Sequence, residues 1–144
     1  MDDSCAGSCA VLRHDPGYVI HTFLSIRAYH LIVANKQKGI YGEAVAKKFL
    51  EGLNYGVLEC NWYCRWGEID IVAKDHNELV FVEVKFRKNA KFGFPYEAIT
   101  YFKKKALLRS IDYFLEQHGL YGAHWRLDVV AIMASHIEHY ISIL

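Results

Sequence analysis

Within the stretch GEIDIVAKDHNELVFVEVKFR, residues 67–87, four side chains are of types that do chemistry together: Glu68, Asp70, Glu83 and Lys85. Two runs of alternating apolar and polar residues flank a short polar break, the pattern of a β-hairpin. Successive strand side chains point to opposite faces. Phe81, Glu83, Lys85 and Arg87 therefore share one face, and Val80, Val82, Val84 and Phe86 the other. In the first run Glu68, Asp70, Val72 and Lys74 oppose Ile69, Ile71 and Ala73. A turn over 75–78 pairs Lys74 with Leu79, which sets Asp70 opposite Glu83 and Glu68 opposite Lys85.

Directly opposed residues have Cβ atoms about 4.5–5.5 Å apart, where two carboxylates destabilise a sheet unless something positive lies between them. Mg²⁺ suits that position: a hard cation held by one or two carboxylates that keeps water and substrate phosphate as further ligands. Lys85 beside it would orient a water or stabilise charge developing on a phosphate. The competing reading is a polar sheet face neutralised by Lys and Arg ion pairs. Glu68 divides the same way, between a water-mediated metal contact and a salt bridge to Lys85 or Arg87.

A framework must hold those groups. Residues 40–53 place Val45, Ala46, Phe49, Leu50 and Leu53 on one helical stripe, with Glu43 bordering it. Asn54 and Gly56 end that helix. Residues 57–65 read as a strand leading into the hairpin, and 88–96 as a loop with Gly93 and Pro95. A second helix spans roughly 96–118, its stripe formed by Leu107, Leu108, Ile111, Phe114 and Leu115, and stops at Gly119 and Gly122. Residues 125–133 read as a buried strand and 137–144 as another. The expected fold is α/β: a mixed sheet of four to five strands flanked by helices, in the order α-β-β-β-α-β-β. Residues 36–144 form the domain, and 1–35 an N-terminal extension, an extra helix from about residue 17 or a loosely held arm.

The chain of 144 residues has a net charge of only +1, which gives no global case for a polyanionic partner. The distribution is uneven. Residues 85–109 hold eight Lys or Arg against one acid, Glu97, a local basic face suited to phosphate or a solvated lysine-rich surface. Residues 17–34 are apolar enough to raise a membrane span, but His21, Arg27 and His30 interrupt them, and a central Arg costs about 2.5–3.5 kcal/mol in a bilayer. The opening Met1-Asp2-Asp3 is acidic where a signal peptide is basic. Cys5/Cys9 and Cys60/Cys64 lack the spacing of zinc knuckles, and reduced thiols in the cytoplasm are the simpler account.

An aspartate in one strand, Glu-x-Lys in the next and a glutamate in the preceding helix resemble the PD-(D/E)XK nuclease superfamily. The closer likeness is to its YraN-like, Holliday-junction-resolvase-like branch of endonucleases. It is carried by GEAVAKKFL (42–50), NWYCRWGEIDIVAKD (61–75), LVFVEVKFR (79–87), FGFPYEAIT (92–100) and RLDVVAI (126–132). The resemblance implies a restriction-endonuclease-like core and Mg²⁺- or Mn²⁺-dependent hydrolysis of DNA phosphodiester bonds, in duplex, branched or damaged DNA. It implies Asp70, Glu83 and the Val84 carbonyl as metal ligands, Lys85 as the catalytic lysine, and Glu43 as the helical glutamate completing the acidic site. Arg65, Arg87, Lys88, Lys103 and Lys104 become candidates for phosphate contacts. A homodimer is expected if junctions are cut, since two strands must be cut symmetrically. Tyr63, Phe86 and Tyr101 depart from the branch, which often has a basic residue, a threonine and a proline there. The alternative is a non-catalytic nucleic-acid-binding module on the same scaffold. Arg126 and Asp128 share a strand face and read as an ion pair at the sheet edge; Trp62, Trp66 and Trp125 either stack on bases or pack, and His118 and His124 either touch phosphate or are surface imidazoles.

Overall fold

The computed structural model describes residues 10–13, 18–23, 37–87, 100–133 and 136–144. Its strands are β1 (Ala10–Arg13), β2 (Tyr18–Phe23), β3 (Gly56–Cys64), β4 (Gly67–Asp75), β5 (Glu78–Arg87), β6 (Trp125–Met133) and β7 (His136–Tyr140). Its helices are α1 (Gln37–Gly52) and α2 (Tyr101–Gln117). From α1 onward the order is the expected α-β-β-β-α-β-β. All seven strands join one mixed sheet, ordered β1-β2-β7-β6-β5-β4-β3. Among the described strands only β5 and β6 pair in parallel, and α2 is carried on the crossover that parallel pairing requires.

The sheet is longer than expected because β1 and β2 belong to it. Residues 18–23 are strand where the sequence suggested an extra helix or a loosely held arm, while 24–36 lie outside the described residues. The run YVIHTF is rich in β-branched and aromatic side chains. It pairs antiparallel with β7, which would otherwise be an open edge. A short apolar run of this kind has no periodicity of its own to separate strand from helix. No helix among the described residues is long and apolar enough to cross a membrane.

Two cores sandwich the sheet. On one face Ala46 and Leu50 of α1 pack with Ile71, Ala73, Val80, Val82, Val130 and Ile132. On the other, Leu107, Ile111 and Phe114 of α2 pack with Ile69, Val72, Phe81 and Leu127. Each fully buried Leu, Ile or Phe contributes about 1.5–3 kcal/mol. α1 ends as sequence suggests: Asn54 takes φ 65, and the Tyr55 and Asn54 amides donate to the carbonyls of Leu50 and Glu51. α2 starts later than expected, because Thr100 is its N-cap and accepts a hydrogen bond from the Lys103 amide. The expected loop at 88–96 lies outside the described residues.

Candidate active site

The hairpin register is the expected one, with Lys74 opposite Leu79 and Asp75 opposite Glu78 across a His76–Asn77 turn. Paired residues run to Ile71 opposite Val82 and stop there. Alternation also breaks at that point. Ile71 packs under α1, but Ile69, expected beside it, packs under α2 with Val72. Asp70 sits at the break. Its carboxylate turns into the gap between β4 and β5, where Oδ2 accepts the Val84 amide hydrogen at 2.6 Å in place of a backbone partner. The N–H and C=O of an extended residue point to the same neighbour, so the Val84 carbonyl faces this gap too.

Glu83 rises from β5 on the α2 face, only 2% exposed. Oε1 is bound by the Lys85 ammonium. Oε2 lies 3.3 Å from Lys103 Nζ, an ion pair whose geometry is not that of a hydrogen bond, so this buried oxygen has no donor aligned on it. Burial and then the charge of Glu83 push the Asp70 carboxyl up from 3.8 to about 7, against the opposing pull of the Val84 amide, Lys103 and Lys85. An acid whose proton is held by burial and by a neighbouring carboxylate, beside a carboxylate oxygen lacking a hydrogen bond, fits a small oxygen-seeking cation. Asp70, Glu83 and the Val84 carbonyl would hold it. Among the described residues no three His, Cys, Asp or Glu side chains converge closely enough to form a cage by themselves.

Among the described residues Glu43 makes no hydrogen bond or ion pair with either acid. The α1 backbone comes close to the sheet at Gly42, where a Cβ would meet Ile132, Phe86 and Val84 at 3.8–3.9 Å. That contact holds Glu43 on the α1 face, opposite to Glu83, where its charge bears on Cys60 and Tyr63 of β3. Glu68 lies across β3–β4 from Tyr63, and its carboxylate beside that phenol is the main reason the Tyr63 pKa is raised. Lys103 is a partner of the acid as well as a candidate phosphate contact. Lys104 is exposed on α2. Arg87 closes β5, and Lys88 lies outside the described residues.

A family model described as "Uncharacterised protein family UPF0102" matches residues 42–132. The chain belongs to UPF0102. This is the YraN-like family whose blocks the sequence resembles. A UPF0102 protein of Geotalea daltonii is 48% identical over 99 residues, 69% of this chain and 78% of its own. One from Geobacter sulfurreducens is 42% identical over 110 residues, covering 73% and 86%, and one from Caldicellulosiruptor saccharolyticus 42% over 97, covering 67% and 82%. The UPF0102 match contains Glu43, Asp70, Glu83, Lys85 and Lys103, and leaves β1, β2 and β7 outside it.

Elsewhere the UPF0102 sheet holds a second polar cluster. Arg126 and Asp128 are the expected ion pair, but they lie on β6, an interior strand, instead of an edge. Arg126 also reaches Glu78 at 2.6 Å, Tyr55 at 2.8 Å and Asp75 at 2.9 Å. Asp128 is fully buried and is met by His139 Nε2 at 2.8 Å and the Ser142 amide at 2.9 Å. Burial, ahead of the opposing Arg126 charge, pushes the Tyr55 hydroxyl up to about 12. Arg126 and Asp128 are enclosed while Asp75 and Glu78 stay partly exposed, and the cluster ties β6 and β7 to the β4–β5 hairpin and to Tyr55 just past α1. Trp62 packs on Tyr113 and Phe114, Trp125 on Phe81, and the His118 ring stacks on Phe114.

Proposed function

We propose that this UPF0102 chain is a metal-dependent endonuclease-like protein that hydrolyses DNA phosphodiester bonds, branched or damaged duplex included. The observation that carries the reading is the buried Glu83 oxygen with no aligned donor, beside a half-buried Asp70 at the place where β4 and β5 part. A bound Mg²⁺ or Mn²⁺ supplies Lewis acidity and a water of lowered pKa. The Val84 amide fixes the Asp70 carboxylate. Lys85, tethered to Glu83 and partly exposed, orients the attacking water or donates to a phosphoryl oxygen. Lys103, on the open side of Glu83, draws the substrate phosphate in. The basic surface of α2 positions the backbone without choosing sequence.

One feature favours a non-catalytic nucleic-acid-binding module: two ammoniums already neutralise Glu83. A cleavage assay separates the two. Supercoiled plasmid and a four-way junction, with a parallel RNA panel, are incubated with Mg²⁺ or Mn²⁺ beside Asp70→Ala and Lys85→Ala. Metal-dependent nicking lost in both variants supports the nuclease. Binding without cleavage, or nicking unchanged by the substitutions, supports the module.

A further inference from the structure

The two-residue turn between β3 and β4 is Arg65–Trp66, closed by Cys64 opposite Gly67. Arg65 Cζ lies 4.7 Å from the centre of the Trp66 ring. Arg109, from α2, brings its Cζ to 4.8 Å from the same ring. The turn is fixed against the helix: the Cys64 thiol donates to Ser110 Oγ at 3.4 Å, and Gly67 takes φ +147, a backbone that side chains resist, with Ser110 Oγ 3.8 Å from where its Cβ would stand. All three side chains reach solvent. Among the described residues neither guanidinium has a carboxylate partner.

We propose that Arg65, Trp66 and Arg109 form a phosphate clamp for the backbone of a DNA duplex. An arginine fork matches a phosphate with paired N–H donors, and unpaired forks are free to do so. Stacking on the indole removes part of the side-chain freedom that binding would otherwise have to remove. Two elements relate the clamp to the acidic pair. Asp70 lies three residues along β4 from Gly67, about 10 Å. Lys103, which contacts Glu83, lies six residues along α2 from Arg109, about 9 Å. The clamp thus holds the duplex roughly three base steps from the acids, at about 3.4 Å per step on one strand. Lys104 and Lys105, exposed on the same helix, continue the basic surface. The inference rests on the nucleic-acid part of the function proposed above and does not depend on cleavage.

The test is a salt titration of binding to a 20-bp duplex in EDTA, with the single strand alongside and thermal melting as a fold control. Removing two phosphate contacts with Arg65→Gln/Arg109→Gln lowers the slope of log affinity against log salt by about 1.8. Trp66→Leu leaves the charges in place, so the slope stays and affinity falls about three- to tenfold; Trp66→Phe restores most of it. An unchanged slope in the double variant, or wild-type affinity in Trp66→Leu, overturns the clamp. A slope change seen only with the single strand overturns the duplex assignment. Because no metal is present, either failure refutes the clamp alone, while the cleavage reading is decided by the plasmid assay.

Discussion

Asp70→Asn tests the electrostatics of the acidic pair without any substrate. The Asp70 carboxyl, raised from 3.8 to about 7 by burial first and Glu83 second, binds a proton in the native state that the unfolded chain has already lost. Between pH 4 and pH 7 the native state therefore holds more protons than the unfolded one, and this group's contribution to stability falls as pH rises through that window. Below pH 4 and above pH 7 the contribution is flat. A gap of roughly three pH units at about 1.4 kcal/mol each amounts to about 4 kcal/mol. Roughly 3 kcal/mol of that falls between pH 5 and pH 8. Asparagine keeps an oxygen for the Val84 amide while removing the charge, so the other titrating groups largely cancel between the two proteins. Urea unfolding in EDTA at pH 5, 6, 7 and 8 should show Asp70→Asn gaining about 3 kcal/mol on the wild type as pH rises. A difference that stays constant with pH, or one that moves against the variant, would refute the account of Asp70 as a desolvated acid beside a second carboxylate.

Two further outcomes are expected of the acidic pair and of the Arg126 cluster. Calorimetric titration with Mn²⁺ should give binding heat for the wild type and none for Glu83→Gln, with the wild type gaining about 2.7 kcal/mol of stability at a hundredfold excess over Kd; equal heats in both proteins would remove the cation from this site. Arg126→Leu leaves Asp128 buried without its guanidinium and should cost about 3–5 kcal/mol in denaturant unfolding, whereas Arg126→Leu combined with Asp128→Leu should recover part of that loss. A double variant as unstable as the single would show that the charge pair is not the unit of stabilisation.

The sequence by itself determined the elements from α1 to β7, because their periodicities are strong and their stops chemical. The stripe ending at Leu53, the Asn54 terminus and the alternation on both sides of His76–Asn77 are local properties of the chain. Spacing also put Asp70, Glu83 and Lys85 in one neighbourhood, and Lys103 one turn before Leu107 on the sheet side of α2. Only the tertiary structure decided how those groups stand. The Asp70 carboxylate replaces a ladder partner for Val84, and alternation cannot foresee where a ladder ends. Glu43 belongs to α1, which covers the face of the sheet opposite α2. The Arg65–Trp66–Arg109 stack joins a turn to a helix more than forty residues away, and no local pattern encodes such a contact. The β character of residues 18–23 was fixed by an available edge on β7, since a short apolar run takes its form from the partner that satisfies its backbone hydrogen bonds.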